Sequence, residues 1–434
     1  MLRALAIDFN SFFASVEQQE RPDLRGQPLI VVPVLAETTG AIAISLEAKA
    51  RGLKRNVRVA EARRELPGIL VVEARPELYI QYHRRLKAVV ETLVPVKKVQ
   101  SIDELECELS GDLAKPARAL RLAEEIRARI YREVGTHLRC SIGIGPNWFL
   151  AKLASDLKKP DGLVLFDEGD IPGKILDVPL AEFTGIGPNM EKRLRAAGID
   201  DVAKLYAATR DRLRSVWGSV EGARFHDWLH GGVQEREAPR HRTIGHSQVL
   251  PPEQRNAEAA RPVLHRLLQK AAMRLRHEGF YAGGLQLHVS YRDGTEWNTD
   301  LHFNETQDTL RFTQALNQLW ERRPAAHQRK APQQVGVVLH SLLPGAQHTA
   351  DLFDATQEKA RARLLGAVDT LNQTFGKNSV YFGGAHGATG YAPLRIAFTR
   401  IPEPEVEDID PTRQRRLRPK KPSPPQEPEA GGPE

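Results

Sequence analysis

Apolar residues run almost unbroken from Leu2 to Ile7 and stop at Asp8, which predicts a strand buried on both faces that ends on an acid. Asn10 and Ser11 then read as a helix N-cap region before Phe12-Phe13-Ala14-Ser15-Val16. Two further apolar runs predict strands at Pro28–Val32 and Ala41–Ile44, the second followed by a cationic helical stretch from Glu47 to Arg51. A long helix is expected over Pro76–Leu93, a hairpin over Val96–Leu109, a helix over 113–134 and a strand over Arg139–Gly145. Strands and helices alternate with a hairpin inserted, so the fold class is α+β rather than a simple parallel sheet.

From about 165 to 232 the pattern becomes helical and short-looped. Phe183-Thr184-Gly185-Ile186-Gly187-Pro188 reads there as a hairpin between two helices, the second carrying Lys192, Arg193 and Arg195 and ending near Gly198. A polar connector over 233–242 separates this region from a new pattern. It comprises a strand around Val249, a helix over 257–278, two strands within 280–303, a helix over 306–322 and a strand over 335–342. That is the β-α-β-β-α-β order of a split βαβ domain. A helix near 355–374 and a strand at Ser379–Phe382 follow. Residues 402–434 combine Pro and Glu with the basic run Arg413, Arg415, Arg416, Arg418, Lys420 and Lys421, and read as a disordered tail.

Composition narrows the picture. With 434 residues, 41% of them hydrophobic and 27% charged, the chain has room for several globular domains. No run of about eighteen apolar residues is present, and Asp8 comes too early for a secretory signal, so a cytoplasmic protein that crosses no membrane is expected. Cys107 and Cys140 alone support neither a disulfide framework nor a cysteine zinc site. The net charge of +7 suits a polyanionic partner such as nucleic acid without demanding one. His246, His288 and His302 have no metal-ligand spacing and read as surface or polar-core residues.

Two acidic signals carry the chemistry. Asp8 lies at the carboxyl end of a buried strand, and Ser101-Ile102-Asp103-Glu104 opens another. Adjacent strand residues face opposite ways, so Asp103 and Glu104 can share an ion only if the backbone turns between them. An acid that merely ends a strand, or a solvated acidic pair, accounts for either signal alone. Together, three carboxylates can hold a pair of hard divalent ions such as Mg²⁺. Such a pair activates an attacking oxygen and stabilises a leaving one in phosphoryl transfer.

With these motifs the chain resembles the Y-family, or translesion, DNA polymerases from Leu2 to about Leu343. The resemblance rests on Asp8-Phe9-Asn10-Ser11-Phe12-Phe13-Ala14-Ser15-Val16-Glu17 and on Ser101-Ile102-Asp103-Glu104. It extends to Ser141-Ile142-Gly143-Ile144-Gly145-Pro146-Asn147, Ala151-Lys152-Leu153-Ala154-Ser155 and Lys159-Pro160-Asp161-Gly162. It implies a right-hand core with a palm (1–20 and 76–165), small fingers (21–75) and a helical thumb with a helix-hairpin-helix (166–232), then a little finger (243–343). It implies low-fidelity, template-directed DNA synthesis past damaged bases with two Mg²⁺ ions and no proofreading, primer-template DNA and deoxynucleoside triphosphates as substrates, and a monomer associated with the nucleoid. Asp8 and Asp103 would bridge both ions, Glu104 would bind the catalytic one, and the Phe9 carbonyl would complete the nucleotide-side ion. Phe13 matches the steric gate against a ribose hydroxyl, while Phe12 beside it in the nucleotide-binding segment packs in the core. Lys159 and Lys152 match cations facing the triphosphate, and Gly185, Gly187, Lys192 and Arg193 would hold DNA phosphates.

Departures are local. The family's Ser-Tyr-Glu-Ala-Arg is here Ser45-Leu46-Glu47-Ala48-Lys49, so a hydroxyl donor and a guanidinium fork are lost at the triphosphate, although Lys49 keeps the charge. One lost hydrogen bond to a charged group costs about 1.5–3 kcal/mol. Lys54-Arg55-Asn56-Val57 replaces smaller residues, and Arg55 offers a compensating phosphate contact. These changes keep open a second reading, a weak or inactive adaptor that binds DNA and a clamp or partner polymerase; the retained carboxylates favour the enzyme. A nuclease using the same acids would leave Phe13 and Lys159 without a role. Gln347, Leu352 and Phe353 resemble a bacterial sliding-clamp peptide within a C-terminal extension over 344–401, whose region from 355 to 383 points to the SOS-mutagenesis branch rather than to polymerase IV.

Overall fold

The computed structural model describes residues 1–233, 243–349, 355–390, 396 and 401–403. The connector from 234 to 242, Leu352 and Phe353 of the clamp-like peptide, and the tail beyond 403 lie outside the described residues. Residues up to 233 belong to one compact unit and those from 243 to 390 to a second.

The first unit is built on β1 (Ala4–Phe9), whose six residues are all buried, and it runs straight into α1 (Phe12–Glu20). Then come β2 (Leu29–Val32), β3 (Ala43–Ile44), α2 (Leu46–Ala50), α3 (Val59–Glu65) and β4 (Leu70–Glu73), with β2 central in a small sheet. Ser45 starts α2 by accepting the Ala48 N–H, and its hydroxyl also accepts the Leu29 N–H. The helix α4 (Pro76–Glu91) leads to the hairpin β5 (Val96–Ser101) and β6 (Glu104–Glu108), followed by α5 (Pro116–Glu133), β7 (Cys140–Gly145), α6 (Trp148–Leu157) and β8 (Leu163–Leu165). The main sheet has the order β5-β6-β1-β7-β8, antiparallel except where β7 meets β8.

Helix α6 lies unusually close to that sheet. A Cβ on Gly143 would sit 1.9 Å from the Ala151 carbonyl oxygen, and the small side chains of Ala4, Ala6 and Ala151 form the contact, with Trp148 packed against them. The far side of α6 gives Phe149, Leu150 and Leu153 to a second core shared with α7 (Pro188–Ala196), α8 (Val202–Ala207), α9 (Arg210–Trp217) and α10 (Val220–Leu229). The turn at Gly185 is preceded by a single 3-10 turn, Leu180–Glu182, and not by the α-helix expected there. Pro179 and the extended Phe183 leave no room for a longer helix.

The second unit runs β9 (Thr243–Val249), α11 (Ala257–His277), β10 (Phe280–Tyr291), β11 (Glu296–Thr306), α12 (Thr309–Glu321), α13 (Ala325–Gln328) and β12 (Pro332–Pro344). Its sheet, β11-β10-β12-β9, is antiparallel throughout, and one face is covered by Val263, Leu264, Leu267, Leu268, Phe312 and Leu316 of the two long helices. A further helix, α14 (Ala355–Phe375), is clamped onto this unit where Arg276 pairs with Asp369 through two hydrogen bonds and Arg361 reaches Asp308 at 2.6 Å. Ser379–Phe382 does not form the expected strand. The N–H groups of Val380 and Phe382 donate to the side-chain oxygens of Asn372 and Gln269, so this backbone is satisfied without a ladder. Among the described residues, no helix is long and apolar enough to cross a membrane.

Candidate active site

Strand register brings the acids together. Asp8 on β1 lies directly opposite Glu104 on β6, and Asp103 occupies the turn between β5 and β6. The Phe9 N–H donates to the Asp103 carbonyl at 2.9 Å, which ties the turn to the end of β1. Ile102 of the same turn packs inward, and its carbonyl lies 2.8 Å from Nδ1 of the buried His83 on α4. The backbone therefore bends at Asp103, as a shared ion requires.

The closely packed α6 carries Lys152 across the sheet to these acids. Its Nζ lies 2.7 Å from Asp8 Oδ2, 3.1 Å from Glu104 Oε1 and 2.9 Å from Asp156 Oδ1. Lys159 Nζ reaches the same Asp8 oxygen and Asp156, each at 2.7 Å. Lys152 and Asp156 are the residues whose weight the sequence understated. Their i,i+4 spacing on one helix face was the available signal.

Electrostatics follow from this packing. Burial favours protonation of Asp8, but Lys152 and Lys159 outweigh it and hold that carboxyl below the usual range. Asp103 and Glu104 are pushed up, by burial first; Ser101 and Lys152 respectively oppose the shift, and the Asp8 charge adds to it. Burial works against the Lys152 ammonium, yet Asp8, Glu104 and Asp156 more than offset it, so it stays charged well above the usual lysine range.

The acids fit hard cations in donor type, since every donor is oxygen. Asp8 and Glu104 already share one ammonium, and Lys152 acts on all three carboxylates. They are not a closed cage. Asp103 Oδ1 accepts from Ser101 Oγ at 2.6 Å. Among the described residues, the trio whose ligand atoms all lie within 4.8 Å of one another is elsewhere, at Asp300, His302 and His340.

Around this centre, the loop from Lys159 to Gly162 is fastened by the Asp161 N–H donating to Asn10 Oδ1 at 2.8 Å and by Tyr131 and Arg127 on the Asp161 carboxylate. Asn10 is thus a loop anchor, and Ser11 caps nothing. It adopts a left-handed conformation, and its buried hydroxyl has no hydrogen-bond partner. Phe12 is 3% exposed and packs between Phe9 and Phe13. Phe13 is half-buried and stacks on Tyr79, with ring centroids 4.4 Å apart. Lys49 is pulled below the usual lysine range by burial, then by Arg55 and Lys159, while Asp8 and Asp103 oppose the shift. It therefore feels the charges of the acidic centre and of Arg55, and Leu46 in the turn before it supplies no polar atom. Gly185 has φ +98°, and Gly187 is the N-cap of α7, where Lys192 and Arg193 are exposed. Gln347 ends a 3-10 turn after β12.

Residues 7–156 match the impB/mucB/samB family, and residues 241–352 match that family's C-terminal domain. The DNA polymerase IV of Moorella thermoacetica is 33% identical over 388 residues, which cover 87% of this chain and 94% of the relative. The protein named DNA polymerase IV 1 in Bacillus subtilis is 28% identical over 385 residues, 87% and 91% of the two chains. These relatives carry the name polymerase IV rather than that of the SOS-mutagenesis branch expected from the C-terminal extension. Among solved structures, a chimera of the Y-family polymerases Dbh and Dpo4 superposes with a TM-score of 0.67 at 20% identity, covering 79% of this chain and 99% of the chimera. An insertion ternary complex of Dbh DNA polymerase gives 0.55 over the same shares. With carboxylates converging where β1 meets the β5–β6 turn, and with relatives matched over nearly their whole length, the chain belongs to the Y-family of translesion DNA polymerases.

Proposed function

We propose that this polymerase joins a deoxynucleotide to a primer end at Asp8, Asp103 and Glu104, and that these acids, with the Phe9 carbonyl, hold two Mg²⁺ ions. When bound, such ions activate the attacking oxygen and stabilise the leaving one. The observation that carries the reading is the single ammonium of Lys152, held at once by Asp8 and Glu104. A site that gathers two carboxylates on one cation, with a third acid in the adjoining turn, is a site for cations.

The chain's own residues do the positioning. Lys152 and Lys159 keep Asp8 ionised before substrate arrives, and Lys159, the less enclosed of the two, re-pairs with the triphosphate. Lys49 and Arg55 supply positive charge where the family uses a tyrosine and an arginine, as point charge without the bidentate fork at Lys49. The Phe13 ring closes the space beside the sugar. The main sheet serves as palm (1–20 and 76–165), the small sheet as fingers (21–75), the helical region as thumb (166–232) and the four-stranded sheet as little finger (243–343). Gly185 and Gly187 present backbone N–H groups at the start of α7 to a DNA phosphate, with Lys192 and Arg193 beside them. Gln347 is the described part of the peptide that would meet a sliding clamp.

Asp103→Ala is expected to abolish primer extension in Mg²⁺ while primer-template affinity, followed by fluorescence anisotropy, stays within about threefold, because the acid binds ions and not the duplex. Continued synthesis by that variant would show that the metal assignment is misplaced.

A further inference from the structure

On the sheet of the second unit, three ligand-bearing side chains meet that no sequence spacing connects. Asp300 and His302 are two apart on β11 and so project from the same face, while Leu301 and Phe303 between and beyond them turn to the core. His340 is on β12, and β10 lies between the two strands. Gly284 of β10 pairs with His302 on one side and with His340 on the other.

That glycine makes the meeting possible. A Cβ at position 284 would sit 2.1 Å from Cε1 and 2.6 Å from Nε2 of His340, so the ring lies directly over the central strand, in the space a side chain would fill. From there it approaches His302 edge to face, with centroids 5.0 Å apart and planes at 74°. His302 Nε2 is 3.3 Å from Asp300 Oδ2, and one ligand atom of each residue lies within 4.8 Å of the others. His340 Nδ1 is 3.1 Å from Ser341 Oγ, whereas its Nε2 is buried without a hydrogen-bond partner. A buried ring nitrogen left unpaired beside a second imidazole and a carboxylate has an unmet demand for a partner.

We propose that Asp300, His302 and His340 bind a borderline divalent transition metal, Zn²⁺ or a cation of its class, bridging β11 and β12 across Gly284. Two imidazole nitrogens and one carboxylate oxygen form the three-protein-ligand set that Zn²⁺ accepts with a position left open. Mg²⁺ disfavours such a set because it prefers oxygen ligands. The site is chemically distinct from the acidic centre, and neither depends on the other.

The test is a Co²⁺ titration of the full-length protein in excess Mg²⁺, read by the visible absorption of histidine-bound Co²⁺ and followed by displacement with Zn²⁺. Wild-type protein is expected to bind one equivalent saturably. His302→Ala and His340→Gln should each weaken binding by at least about tenfold, the loss that even an outer-shell change produces. Gly284→Ala keeps all three ligands but displaces the His340 ring, so it should weaken binding similarly. Asp103→Asn should leave the spectrum unchanged, which separates this site from the acidic centre. Far-UV circular dichroism checks that each variant is folded. No saturable Co²⁺ band in wild type, or unchanged affinity in the doubly substituted His302→Ala/His340→Gln protein or in Gly284→Ala, would overturn the assignment.

Discussion

Phe13 owes its position to residues that lie behind it. Its ring stacks on Tyr79, whose hydroxyl donates to Glu17 Oε1 at 2.8 Å, and Arg75 grips the same carboxylate at 3.0 and 2.5 Å. Glu17 is fully buried, so its charge is tolerable only with those partners. Phe13→Ala is expected to relax discrimination against ribonucleotides on the order of a hundredfold, the equivalent of a clash worth about 2.7 kcal/mol. Tyr79→Phe keeps the backing ring and removes only the hydroxyl bonded to Glu17, so it should leave the discrimination within about threefold of wild type. Tyr79→Ala removes both the ring and that hydrogen bond, and the loss of the stack alone should relax discrimination by no more than about tenfold, since an aromatic pair contributes about 0.5–1.5 kcal/mol. Single-nucleotide insertion with matched ribo- and deoxyribonucleotides checks all three, and an unchanged sugar preference in Phe13→Ala would remove it from the gate. At this scale the sequence was readable where side-chain type sets the role, as at Asp8, Phe13 and Lys159. It was silent where geometry does: nothing in the spacing of Glu17, Arg75 and Tyr79 says that they converge, and Ser11, a good cap by type, has its hydroxyl buried and unpaired.

Elements place these residues, and the decisive one is α6. Its approach to β1 and β7 depends on Gly143, where an added methyl would meet the Ala151 carbonyl at 1.9 Å and the Ser155 nitrogen at 2.4 Å. Both are backbone atoms and cannot rotate away, so the helix would have to lift. Gly143→Ala is therefore expected to lower the stability of the first unit by about 1–3 kcal/mol, the usual cost of overpacking. Activity should fall further than stability, because lifting α6 withdraws Lys152 from Asp8. Urea denaturation alongside primer extension measures the two; full activity in a destabilised variant would show that the lysine's distance from Asp8 does not matter. Strongly periodic elements were legible from the pattern: α4, the β5–β6 hairpin, β7 and α11 all lie close to their expected spans. Short ones such as β4 and α3 carry too few residues to establish a period. Ser379–Phe382 has strand-like residues, but side-chain amides satisfy its backbone, a competition that periodicity does not register.

For the molecule as a whole, the sequence conveyed composition and domain order but not which surfaces its charge covers. The net +7 is a small excess of 62 basic over 55 acidic side chains, and many of the basic ones are spent internally. Arg75 is committed to Glu17, Arg276 to Asp369 and Lys152 to the acidic centre. DNA affinity must then come from cations left on the surface, and Lys192 and Arg193, exposed on α7 beside the Gly185 turn, are one such pair in the first unit. If each meets a phosphate, each releases about one counterion on binding, and log K falls by about 0.9 per contact for every tenfold rise in salt. The double variant Lys192→Ala/Arg193→Ala should bind primer-template more weakly in low salt. Its slope of log K against log salt should be shallower than wild type by about 2, equally for every template sequence, because phosphate contacts do not read bases. Anisotropy titrations over a salt series on two unrelated templates measure this directly. A parallel slope with a weaker affinity would mean that the substitutions distort α7 without removing phosphate contacts, and the Gly185 turn would then no longer be placed against the duplex.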